Sequence, residues 1–154
     1  MTQCKATKII IILLSALLVI LLTSCFAEGS AEDLLFEITK EIESLPDGTV
    51  YLSSAKEGSK NHMDESIIKN LYHESAYDYE FTLIEEFAVY VSYSKPQEIA
   101  VYKCYSRSDT DIIASMCLSR IEKLSVLLAE TSFCDIPKNA VVKIHGRFVT
   151  VTML

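Results

Sequence analysis

Tryptophan is absent from this chain and glycine nearly so, with 4 glycines and 3 prolines among 154 residues. So few glycines exclude the loops that cradle phosphates in nucleotide enzymes, and neither a P-loop nor a GxGxxG turn occurs. GxSxG and HExxH are missing as well, which removes the usual serine-hydrolase and zinc-protease signatures. The 5 cysteines contain no CxxC pair, and His62, His73 and His145 do not neighbour them at metal-ligand spacing. Neither a metal nor a cofactor is therefore expected. Asp109-Thr110-Asp111 lacks the Gly and later Glu of a calcium loop and reads as helix capping. Positive charge is scarce too, with 14 Lys and Arg against 21 Asp and Glu, a net charge of -7 and a pI of about 4.9. With no basic stripe to override that balance, nucleic acid is excluded as a partner.

What the chain has in plenty is apolar residues, and they are concentrated at its start. Ile9 to Leu22 is an uncharged apolar run, broken only by Ser15, behind Lys5 and Lys8. As a helix it rises about 21 Å, short of a hydrocarbon core of about 30 Å, which describes a secretory signal peptide. The uncharged stretch continues to Ala27 and would then rise about 28 Å, so a retained transmembrane anchor is the alternative. Either way the two lysines hold the N-terminus in the cytoplasm and place the rest outside. Leu22-Thr23-Ser24-Cys25 has the order of a bacterial lipobox: an aliphatic residue, two small ones, then a thiol that takes a diacylglyceryl thioether before cleavage. Two acyl chains hold a protein at a membrane where one would dissociate. The expected organisation is a lipoprotein signal peptide at 1–24, a lipid-anchored tether at 25–30, and a single α+β domain at 31–154. Without the first 24 residues, 12 of the 14 basic and all 21 acidic side chains remain, so the net charge becomes -9.

Within the domain, Leu34, Leu35, Ile38, Ile42 and Leu45 recur at helical spacing, with Ser30 as a cap and Pro46-Asp47-Gly48 as a stop. Ser53 to Asn61 is polar and reads as a loop, and Asp64 can cap a short helix that turns Ile67, Ile68 and Leu71 inward. The alternation in Tyr77 to Leu83 predicts an extended segment. Glu86–Tyr93 and Glu98–Tyr105 are rich in β-branched and aromatic residues and flank Ser94-Lys95-Pro96-Gln97, which predicts a hairpin. A second hairpin is expected to turn near His145-Gly146, and the longest helix, about Thr110 to Thr131, lies between the two. The fold class is α+β, a four-stranded antiparallel sheet of two hairpins with helices on one face, in two layers.

Glu98-Ile99-Ala100-Val101, Arg120 in the long helix, and Gly146, Phe148 and Val149 in the last strand resemble a bacterial lipoprotein family. It is catalogued as domain of unknown function 4358 and is typical of clostridia-like Gram-positive bacteria. The likeness covers roughly residues 31 to 153 and is loose before Phe87. It implies the lipobox and the extracytoplasmic location, and no activity.

Arg120 is the most informative single residue. Ile113, Met116, Cys117, Ile121, Leu124, Leu127 and Leu128 fall in one helical arc, and Arg120 lies near its middle. A buried guanidinium keeps its charge and must be paired. Arg120 is either a structural ion pair or the floor of a pocket for an anionic group. Cys104, Cys117 and Cys134 remain beyond Cys25, as one Cys104–Cys134 disulfide with a thiol or as three thiols. Tyr72 to Glu80 gathers His73, Glu74, Ser75 and Asp78, a combination that reads as a polar loop before it reads as a catalytic site. Tyr90, Tyr93, Tyr102 and Tyr105 sit on the first hairpin, where a sugar-binding platform would use them. Strand alternation separates them by face, which weakens a flat platform.

The sequence thus predicts a lipid-anchored domain on the outer face of a bacterial cell membrane, a non-enzymatic module that binds an envelope protein. The alternatives are a small envelope hydrolase or its accessory subunit, and a sensor of an anionic ligand through Arg120.

Overall fold

The computed structural model describes residues 29–72 and 77–154. The segment read as a signal peptide, Cys25, and residues 73–76 of the polar cluster lie outside the described residues. In chain order the elements are α1 (Ala31–Lys40), β1 (Gly48–Leu52), α2 (Glu65–Tyr72), α3 (Tyr77–Glu80), β2 (Ile84–Ser92), β3 (Glu98–Cys104), α4 (Thr110–Leu127), α5 (Asp135–Lys138), β4 (Val141–His145) and β5 (Phe148–Met153). The strands form one antiparallel sheet in the order β1-β2-β3-β5-β4.

The α+β class and both hairpins are as expected, but the count and the layering are corrected. Gly48–Leu52 adds a fifth strand along β2, and helices cover both faces. Alternation along β2 and β3 shows this directly. Val89, Ala100, Tyr102 and Cys104 join Ile113, Met116 and Cys117 of α4 in one apolar cluster, with Ile67, Ile68 and Leu71 of α2 against it. Ala88, Tyr90, Ile99 and Val101 point the other way, into a second cluster with Ala31 and Leu35 of α1. The central strand β3 is buried along its whole length, which is why its sequence runs apolar on both faces. The fifth strand depends on one glycine. A Cβ on Gly48 would lie 2.4 Å from the Val91 carbonyl oxygen and 2.6 Å from the Tyr90 ring.

Local chemistry sets the element ends. Ser30 and Asp33 form a reciprocal capping box on α1. The helix stops at Lys40, short of the predicted Leu45, because the Glu41 and Ile42 N–H groups turn back onto the Ile38 and Thr39 carbonyls. Ile42 and Leu45 still reach the α1-side cluster from beyond the helix end. Asp64 caps α2 by accepting from the Ile67 N–H at 2.9 Å. Ser106 and Asp109 form a capping box on the 3₁₀ turn Arg107–Asp109 that leads into α4. Gly146, at φ +63°, takes the first position of the two-residue turn between His145 and Phe148.

Tyr77 to Leu83 is corrected from extended to helical, as α3 followed by a 3₁₀ turn, Phe81–Leu83. Tertiary packing overrides the alternating pattern: Phe81 sets its ring edge-on to Phe87 and Tyr102, at 6.0 and 6.5 Å between centroids. At the far end of α4, Leu127 is 72% exposed although it lies in the apolar arc. In that last turn Leu124 stays half-buried while Val126 and Leu127 face solvent.

Candidate functional site

Arg120 enters the structure from α4 and meets the first residue of β3. Its Nε donates to Glu98 Oε2 at 2.9 Å and its Nη2 to the same oxygen at 2.5 Å. Nη1 donates to the Leu71 carbonyl oxygen, one of the acceptors that the C-terminal turn of α2 leaves without a helical partner. One guanidinium therefore ties α2, α4 and β3 together, with side-chain exposure of 13% for Arg120 and 2% for Glu98. The gap beside the pair, between Cys117, Ile121, Val151 and Met153, has no room for a water molecule. The arrangement is that of an ion pair sealed into the core. Burial and the neighbouring Glu98 carboxylate push the Cys117 thiol well above its ordinary range. Burial likewise raises the Tyr102 phenol.

A second charged cluster sits at the opposite end of β3, on the other face. The β2–β3 register slips between Ile84 and Glu86, leaving Glu85 as the extra residue of a bulge. The two carboxylates then serve different partners. Glu86 Oε1 accepts from Lys103 Nζ at 3.2 Å while its Oε2 accepts from the Ala31 N–H of α1 at 3.0 Å. Lys103 Nζ also stands 5.9 Å from the centre of the Phe148 ring. Glu85 Oε2 accepts from Arg147 Nη1 at 2.6 Å, and the same nitrogen reaches the Cys104 and Tyr105 carbonyls at 3.1 and 3.2 Å. These contacts fasten α1 and the β4–β5 turn to the sheet.

The open space lies elsewhere. Among the described residues, α1 packs over β2 and β3 and no element covers the same face of β5 and β4, which leaves a groove of about 580 Å³. Leu34, Ile38, Glu41 and Ile42 of the α1 segment form one wall. Thr150 and Thr152 of β5 form the floor, and Val141, Lys143 and His145 of β4 the far side. A shallower depression of about 410 Å³ at the start of α1 is lined by Glu32, Ser53, Ser54, Glu85 and Glu86.

The remaining candidates from the sequence separate in space. Tyr90 and Tyr102 are buried on opposite faces, while exposed Tyr93 and Tyr105 follow the ends of β2 and β3, at opposite ends of the sheet. They make no platform. Cys104, Cys117 and Cys134 are all free thiols, so the Cys104–Cys134 disulfide is not formed. Cys104 is buried in the core, and that burial raises its thiol to about 11. Among the described residues there is no group of three metal-ligating side chains and no helix long and apolar enough to cross a membrane. Sequence reasoning missed the Glu86–Lys103 link and the groove. Signals for both existed in the charged residues Lys103 and Lys143 within apolar strands, and in the Val-Thr-Val-Thr alternation of Val149 to Thr152.

Compared with known proteins, the chain matches no family model, no curated protein and no solved structure at a significant level.

Proposed function

We propose that the chain is a lipid-anchored binding module of a bacterial cell envelope, non-enzymatic, held to the outer face of the membrane by a diacylglyceryl group on Cys25. The order of Lys5 and Lys8, the apolar run from Ile9 to Leu22 and the Leu22-Thr23-Ser24-Cys25 lipobox support the anchor. The observation that carries the binding role is the groove beside α1, which presents Leu34, Ile38 and Ile42 on an open wall. Its volume falls within the usual range of ligand sites, but a shape open along one side suits a protein segment better than an enclosed substrate. Arg120, the other candidate, already spends its donors on Glu98 and Leu71 in a gap without space for a ligand.

Expression of the full chain in a bacterial host, followed by detergent partitioning and mass spectrometry of the N-terminal peptide, tests the anchor. The expected product begins at Cys25 with three acyl or two acyl chains attached and partitions with detergent. Cys25→Ser should remain uncleaved and lose the lipid mass. Recovery of an intact Met1 terminus on the wild-type chain, with unchanged partitioning of Cys25→Ser, replaces the lipid with a transmembrane stalk.

A further inference from the structure

Strands lie about 4.8 Å apart, so the five-stranded sheet measures about 19 Å between its outer strands, whereas a helix is about 10 Å across. One helix therefore covers about half of a face. α1 occupies the β2–β3 half, and the vacant half over β5 and β4 has the width of a second helix. The wall that α1 turns toward this space carries Leu34 and Ile38, spaced i, i+4 as on a ridge that an adjoining helix packs against, and Ile42 extends it from beyond the helix end.

The charges choose the occupant. In a domain whose net charge beyond residue 24 is -9, the far side of the groove carries the ammonium of Lys143, while Glu41 stands on the α1 wall. Carboxylates on an incoming segment are therefore favoured along the β4 flank and disfavoured against α1. The register also orients it. His145 pairs with Phe148, Phe148 with Lys103, and Lys103 bonds Glu86, which accepts from the first N–H of α1. The His145 end of the groove is thus the N-terminal end of α1. A helix antiparallel to α1 would bring its own C-terminal carbonyls toward Lys143, where a cation stabilises a helix end.

On the binding-module reading, we propose that this groove docks an amphipathic helix of an envelope protein, antiparallel to α1, with its apolar face on Leu34, Ile38 and Ile42 and a row of carboxylates toward Lys143. The test uses the full chain in nanodiscs of neutral lipid and two fluorescent 14-residue helical peptides. Both carry leucines at helical spacing, one with glutamates on a flank and the other with lysines there. By fluorescence anisotropy the glutamate peptide should bind about five-fold more tightly than its lysine twin, the scale of one surface charge pair reversed at Lys143. Lys143→Glu, at an exposed position, should reverse that preference, and Val141→Glu should weaken both. Equal affinity for the two peptides, no binding, or no effect of Lys143→Glu overturns the proposal. A dimer that Val141→Glu dissolves assigns the groove to a second copy and overturns it equally. Photocrosslinking in cells from position 150, in the groove, and from position 118, on the outer side of α4, separates this proposal from its premise. Crosslinks to protein from position 118 alone remove the groove and leave a binding module, whereas none from either position removes both.

Discussion

The two faces of the sheet use the same materials to different ends. On the α4 side an 18-residue helix, α2 and the turn at Phe81 close over the strands, and the one guanidinium among them is shut in with its carboxylate. On the α1 side a 10-residue helix covers half the strands and leaves the rest as a groove, and its buried ammonium lies against a carboxylate that is itself half-exposed. Beside the Arg120–Glu98 pair there is no room even for a water molecule. The α1 side is held firmly at one helix and open beside it. Charge is buried on both faces, so burial of charge alone does not mark a functional site.

The largest effect that would test this contrast is at Arg120. Arg120→Leu leaves Glu98 buried without its cation and is expected to destabilise the protein by about 3–5 kcal/mol. Urea unfolding checks it, and Arg120→Leu combined with Glu98→Leu should recover most of the loss. A single variant of native stability would instead make Arg120 a ligand residue. Lys103→Met on the other face should cost less, about 1.5–3 kcal/mol, because Glu86 keeps the Ala31 N–H and partial access to water. If the two variants cost the same, the faces do not differ as described. Gly48→Ala should cost about 1–3 kcal/mol by forcing Val91 and Tyr90 away from β1, read from the shift in the unfolding midpoint.

Alkaline pH should act through the α4-side core. The Cys104 thiol is raised from 9.0 to about 11 by burial, so the folded chain holds its proton more tightly than the unfolded one. The stability this reflects is fully present below pH 9 and falls as pH rises through about 11, seen as a declining melting temperature. Cys104→Ala should flatten part of that decline. The smallest expected effect is at the far end of α4, where Leu127→Ser should change stability by less than about 0.5 kcal/mol, since the side chain has little to lose. A larger loss would mean that the end of α4 is covered.

Both hairpins were readable because β-branched and aromatic runs were punctuated by Ser94 to Gln97 and by Gly146, each a local signal. The N-terminal helix was readable for its start, through Ser30 and Asp33, but not for its end, which a backbone turn at Glu41 decides. β1 was missed because five residues are too few to show a period, although Thr49, Val50 and Tyr51 have strand character. Tyr77 to Leu83 misled because alternation over seven residues fits a strand as well as a helical turn whose Phe81 packs inward. At the candidate sites, burial of Arg120 was legible from helical spacing. Its partner was not, since Glu98 lies 22 residues away in sequence. Of the groove only the floor left a periodic trace, in the alternation of Val149 to Thr152, because its walls come from residues 34–42 and 141–152.

By itself the sequence determined most of the side chains that turn inward, where helices start and tight turns fall, and the acidic balance of the domain. Each of these follows from neighbours within one or two helical turns or a strand. Only the tertiary structure decided that β1 joins the sheet, that Glu98 takes Arg120, and that α1 covers half a face. Those outcomes depend on which distant surfaces meet, and periodicity within an element says what it buries without saying against what.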